Sequence, residues 1–124
     1  HRAWGGMGTV YREQGKYKEA IEYYRRAVEL KPDYTIGFDN LGVAYMRSGD
    51  NEKALEAYNK VLELDPNYAD VHFNLGELYE RMKKIDLAIQ EYEKFIELST
   101  KQDVVEKLKK HIHELKDAGS DGSE

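Results

Sequence analysis

Apolar positions along this chain recur on two scales. At short range they fall at i, i+3, i+4 and i+7, the spacing that lines one face of a helix. Trp4, Met7, Gly8 and Tyr11 make one such face, and Tyr17, Ala20, Ile21, Tyr24, Ala27 and Val28 make the next. At long range the whole pattern returns every 34 residues. Gly8, Gly42 and Gly76 align, as do Tyr11, Tyr45 and Tyr79, Ala20, Ala54 and Ala88, and Tyr24, Tyr58 and Tyr92. A fixed period of this length indicates stacked supersecondary units, because a bundle of unrelated helices has no such register.

The period predicts three units, residues 1–34, 35–68 and 69–102, each a pair of helices. Gly15 and Gly49 separate the two helices of the first and second units, as natural left-handed stops. Pro32 and Pro66 end the second helix of each, since proline cannot continue the hydrogen-bond ladder. The third unit departs from the pattern. His72 stands where the first two have Trp4 and Phe38, Lys83 replaces the turn glycine, and Thr100 replaces the proline. A left-handed Lys83 would cost on the order of 1–2 kcal/mol.

Glycine inside a helix costs roughly 0.5–1 kcal/mol relative to alanine. Its recurrence at Gly8, Gly42 and Gly76 implies close approach of another helix. Ala20, Ala54 and Ala88 are the expected facing residues, with tyrosines and aliphatic groups filling the wider gaps beside them.

With Trp4, Met7-Gly8, Tyr11, Ala20, Tyr24, Ala27 and Pro32, and again Phe38, Leu41-Gly42, Tyr45, Ala54, Tyr58, Val61 and Pro66, the chain resembles the tetratricopeptide repeat family. The resemblance covers about residues 2–102. It implies an all-α fold, a right-handed superhelical solenoid of three antiparallel helix pairs. After Gln102 the register breaks, since a fourth repeat would place Glu106, Lys109, Lys110 and His113 in the core. Val104, Val105, Leu108, Ile112 and Leu115 still make a helical stripe, so residues 103–117 read as a solvating cap. Thr100 and Asp103 suggest a capping box at its start. Residues 118–124 read as a flexible polar tail.

The resemblance further implies that the first helix of each pair lines a concave groove holding a peptide segment of a partner protein. Thr9, Arg12, Ile36, Asn40, Val43, Met46, Arg47, Phe73, Asn74, Glu77 and Arg81 are the expected groove residues. Ile36, Val43, Met46 and Phe73 are apolar on a face the repeat core does not need, which marks an interface. Asn40 and Asn74 can pair with a peptide backbone whatever its sequence. Arg12, Arg47 and Arg81 make a stripe suited to acidic groups, but with Glu13, Asp39, Asp70, Glu77 and Glu80 beside them a solvated mixed-charge face is the preferred account; Arg47 and Arg81 are the expected source of any specificity. Some family members clamp the acidic C-termini of heat-shock chaperones with Lys, Asn and Arg. At the matching positions stand Gly5, Thr9, Asn40, Asp70 and Asn74, of which only Asn40 fits, and Asp70 would repel a carboxylate.

Composition narrows the functional classes. Of 124 residues, 40% are hydrophobic and 35% charged, with a net charge of −5, which does not suit a nucleic-acid binder. There is no cysteine, so no disulfide or thiolate metal site. No apolar run approaches the ~20 residues that span a bilayer. His111 and His113 lie two apart and point to different sides of a helix. The run Trp4-Gly5-Gly6-Met7-Gly8 lacks the Gly-Lys-Ser/Thr of a phosphate loop. The expectation is a non-catalytic adaptor or scaffold without cofactor or metal, with the cytoplasm the favoured compartment. Homo-oligomeric self-assembly through the repeat ends, or an accessory role in a larger protein, are the alternatives. Whether further repeats precede His1 is left open.

Overall fold

The computed structural model describes residues 1–122, with side chains through residue 118. Among the described residues there are seven helices and no strand. They are α1 (Arg2–Glu13), α2 (Tyr17–Leu30), α3 (Thr35–Ser48), α4 (Asn51–Leu64), α5 (Ala69–Arg81), α6 (Ile85–Leu98) and α7 (Gln102–Gly122). They fall into two compact units, His1–Pro66 and Asn67–Glu124.

In the first unit α1 pairs with α2, α3 pairs with α4, and α2 also packs on α3. Its core gathers Ala20, Tyr24, Val28, Leu41, Ala44 and Ala57, edged by Tyr11, Ile21, Phe38 and Tyr45. The expected left-handed stops are present at Gly15 (φ 76°) and Gly49 (φ 93°), where a side chain would be strained. Asp50 then caps α4, its carboxylate accepting the Lys53 amide at 3.2 Å.

What enters the glycine notch differs from the expectation. A Cβ on Gly8 would lie 2.7 Å from the ring of Tyr24, and one on Gly42 would fall on the ring of Tyr58. The notch therefore holds an aromatic ring from the second helix, not the methyl group of Ala20 or Ala54. Those alanines are fully buried. A missing Cβ opens a flat slot, and a ring fills it more completely than a small residue set against a small one, which would leave a void.

The second unit repeats the device once, with Gly76 against the Tyr92 ring. Here α5 pairs with α6, and α6 carries α7. The core runs through Ala88, Ile89, Tyr92, Phe95, Val105, Leu108 and Ile112. Lys83 keeps the left-handed turn at φ 61° instead of relaxing it. The Lys84 amide still bonds to the Tyr79 carbonyl at 2.8 Å, as the Lys16 amide does to Tyr11 at 2.9 Å. Preserving that bond is what holds the strained backbone.

Two expectations about the last helix are corrected. Because α7 begins at Gln102, Lys101 rather than Thr100 takes the cap position, and the proposed box falls out of register; the Lys101 amide donates to Ser99 Oγ at 3.1 Å. The helix also continues through residues 118–122, into the stretch expected as a flexible tail. A glycine inside a helix, as at position 119, weakens it by about 1 kcal/mol without forbidding it; the second glycine, at 122, stands at the helix end, and no proline interrupts the ladder there. Residues 123 and 124 lie outside the described residues.

Candidate functional site

In the first unit the expected groove residues lie on α1 and α3, and their side chains fare differently. Thr9 is engaged inside its own hairpin: its hydroxyl bonds to the Gly5 carbonyl at 3.1 Å and to the Tyr24 hydroxyl at 2.8 Å. Arg12 reaches across to α3, Nη1 donating to Asn40 Oδ1 at 3.2 Å. That contact uses the carbonyl end of Asn40 and leaves its amide NH2 as a donor. Val43 is half-buried, while Ile36 and Arg47 are exposed.

Met46 is a correction, being only 1% exposed and unable to present itself to a ligand. The periodic reading gave α3 a single buried stripe. In the structure α3 packs against α1, α2 and α4, so its buried sector takes in Gly37, Leu41 and Ala44 as well as Asp39, Gly42 and Met46.

The second unit contains a pocket of about 340 Å³ walled by α5, α6 and α7. Phe73, Tyr92, Val104 and Leu108 give it an apolar lining, and Glu77, Glu80, Lys107 and His111 stand with them. The Phe73 ring packs tilted against Tyr92 and edge-on against Phe95, with centroids 5.7 and 5.4 Å away. Glu80 ties the wall together. It accepts the Tyr92 hydroxyl and meets His111 Nε2 at 2.9 and 3.1 Å, linking α5 to both α6 and α7. Burial and that hydrogen bond, with the nearby charges of Glu80 and Glu77, push the Tyr92 hydroxyl well above its ordinary pKa. The phenol therefore stays protonated and donates.

Of the expected residues, Phe73 and Glu77 line this pocket; Asn74 is half-buried and Arg81 exposed outside it. Tyr92, Val104, Lys107, Leu108 and His111 were not among them. They come from the second helix of the pair and from the cap, which a search confined to first helices passes over. The apolar stripe of α7 was the available signal.

His72 is buried in the aromatic slot of the third hairpin, as a partly polar substitute. Its Nδ1 lies 3.3 Å from Glu91 Oε2, and Lys94 approaches the other Glu91 oxygen at 3.7 Å. Both His72 and Glu91 are under one-tenth exposed. Glu91 also acts on Tyr79, whose hydroxyl pKa is raised by burial first and by that carboxylate second. No group of three or more His, Asp or Glu side chains among the described residues converges as a metal site. No helix among them is long and apolar enough to cross a membrane.

Comparison with known proteins places this architecture. Tetratricopeptide repeat models match residues 1–34 and 69–102, and a further TPR repeat model matches residues 44–83. The chain belongs to the tetratricopeptide repeat family. Among solved structures it is similar to the first TPR of Spaghetti (RPAP3) bound to the HSP90 peptide SRMEEVD. The identity is 23% and the TM-score 0.85, over 95% of this chain and 94% of that one. It is also similar to the Yersinia enterocolitica type III secretion translocator chaperone SycD, at 15% identity and a TM-score of 0.87, over 96% of this chain and 85% of that one. At these identities the likeness concerns the fold. Comparison with curated protein sequences gave no match. The repeats make the chain a protein-interaction module, in a family that is generally non-catalytic.

Proposed function

We propose that the module binds a short peptide segment of a partner protein on the faces presented by the first helices of its pairs. The observation that carries this is the pocket in the second unit, whose apolar lining combines Phe73 of α5 with Val104 and Leu108 of α7. An apolar side chain of the ligand enters there and displaces water from about 340 Å³. In the first unit the free amide NH2 of Asn40 donates to a ligand carbonyl, while Ile36 and Val43 supply apolar contact and Arg47 selects for charge. Asn74, Glu77 and Arg81 are the corresponding candidates on α5. Arg12 acts through Asn40 by orienting it. Thr9 stabilises the hairpin, and Met46, buried in the first unit, makes no ligand contact.

The site does not suit an acidic chaperone tail. Asp70 is paired with Lys101 at 3.9 Å, and Glu77 and Glu80 place further carboxylates on the same helix. Like charges oppose such a ligand.

The test uses a random peptide library displayed on phage and selected on the wild-type chain. Selected peptides should lose about tenfold or more in affinity on Phe73→Ala or, where they dock on the first unit, on the exposed change Ile36→Asp, matching the loss of one buried apolar contact. Far-UV circular dichroism should show both variants helical. Peptides that bind both variants as well as wild type would remove this assignment.

A further inference from the structure

Three positions that stand in the same 34-residue register can be compared in each hairpin, and one hairpin lacks the middle member. In the first hairpin the Tyr23 ring of α2 lies between two rings of α1. It stacks on Trp4 with centroids 5.7 Å apart and on Tyr11 with centroids 5.3 Å apart, the latter pair within 7° of parallel. In the third hairpin the positions carry His72, Glu91 and Tyr79. There Glu91 Oε2 meets His72 Nδ1 at 3.3 Å, and its charge adds to burial in raising the Tyr79 phenol pKa. In the second hairpin they carry Phe38, Ala57 and Tyr45. Both flanking rings are kept, and the group between them is cut to a methyl.

The space is open. A groove of about 460 Å³ is walled by α2, α3 and α4, and Phe38, Tyr45 and Ala57 all line it, with Val28 and Leu41 completing an apolar floor. It lies wholly within the first unit. Among the described residues neither Phe38 nor Tyr45 stacks on another ring; the Lys53 ammonium stands 5.8 Å from the Tyr45 centroid. Two aromatic surfaces left to water are surface that a third ring would cover.

We infer that this slot takes the side chain of a tyrosine carried by a segment of another protein. The first hairpin shows which ring fits between two such neighbours, a phenol. The rim serves its hydroxyl: Arg25, Lys53 and Lys60 stand there as donors, Glu29 and Glu56 as acceptors. Neither carboxylate has a hydrogen bond or ion pair among the described residues. Arg25 and Lys60 meet only exposed neighbours on their own helices, Glu22 at 4.0 Å and Glu63 at 3.9 Å, contacts weak enough to exchange. Lys60 also holds the register position of Arg26, whose guanidinium lies 5.2 Å from the Trp4 ring, so a cation is again at hand for an aromatic face. The groove is open along α2 and α4 rather than enclosed, which admits the backbone on either side of an anchored residue. This site is separate from the proposed peptide face. At 3.6 residues per turn Phe38, Leu41 and Tyr45 fall on the side of α3 opposite Asn40, Val43 and Arg47.

The test titrates the capped pentapeptide Gly-Ala-Tyr-Ala-Gly into isotope-labelled wild-type chain and follows side-chain resonances by NMR. Saturable shifts should appear at the Ala57 methyl and the Phe38 and Tyr45 rings and not at Phe73 or Leu108, with a Kd on the order of 1 mM for one anchored ring. The phenylalanine counterpart should bind about threefold to tenfold more weakly, through loss of the hydroxyl's hydrogen bonds. N-acetyltyrosinamide, which lacks the flanking chain, should bind at least about threefold more weakly than the pentapeptide. Ala57→Tyr, which supplies the middle ring from within, should weaken pentapeptide binding about tenfold or more and raise Tm by about 2–6 °C. Tyr45→Leu, at a half-buried position, removes one flanking ring and should weaken binding about tenfold with helicity kept, whether or not Ala57→Tyr folds. The inference is overturned by no shift at the Ala57 methyl, by shifts confined to Phe73 and Leu108, or by binding that survives either substitution. Equal binding of the leucine counterpart would make the groove merely apolar, and equal binding of N-acetyltyrosinamide would assign it to small aromatic molecules; each overturns the inference as well.

Discussion

Gly42→Ala adds a methyl group where the ring of Tyr58 already lies. The new carbon would stand 2.6 and 3.0 Å from Cδ1 and Cζ of that ring. Tyr58 is fully buried, so the ring has no open space to swing into. Forcing an extra carbon into a packed site costs about 1–3 kcal/mol. Alanine returns roughly 0.5–1 kcal/mol through its better helix propensity. The difference centres on a loss of about 1 kcal/mol, which in a chain of this size lowers Tm by about 3–6 °C. Gly6→Ala is the matched control, because its Cβ meets nothing within 4 Å. Only the propensity term remains there, so Tm should rise by about 2–5 °C. Thermal and urea unfolding followed by far-UV circular dichroism reads both. If Gly42→Ala proves neutral or stabilising, the close fit of ring to glycine is not what holds the hairpin.

Three other outcomes are expected. Lys83→Gly should stabilise the chain by about 1 kcal/mol in urea titrations, by removing the cost of a left-handed residue with a Cβ. Glu91→Ala should cost about 1–3 kcal/mol because it leaves His72 buried without its partner, and Glu91→Gln should cost less since an acceptor remains. The hydroxyls of Tyr92 and Tyr79 are held above the ordinary value of 10.0. A pKa raised in the folded state favours the neutral form, so this contribution is complete below pH 10 and is lost as the pH rises beyond it. Ultraviolet titration of phenolate should show these two tyrosines ionising after the exposed ones, and Tyr92→Phe should flatten the alkaline fall in stability. Simultaneous ionisation of all tyrosines would contradict the Tyr92–Glu80 hydrogen bond.

The amino-acid sequence by itself determined the helices, their pairing and their stops. Each rests on a local rule: a period near 3.6 for the buried face, glycine for a left-handed turn, proline for an end. The 34-residue register then carried each local reading to two more copies, and the break after Gln102 marked the cap. What the register could not carry was which side chain meets which across helices. The ring of Tyr24 rather than Ala20 fills the Gly8 notch because packing selects for filled volume, which periodicity does not encode. Met46 is buried because α3 lies among three helices, while a single stripe is all that one helix's pattern can declare. The pocket of Phe73, Tyr92 and Leu108 and the Glu80–His111 tie join positions 16 to 35 residues apart, from three helices. Only tertiary structure brings them together.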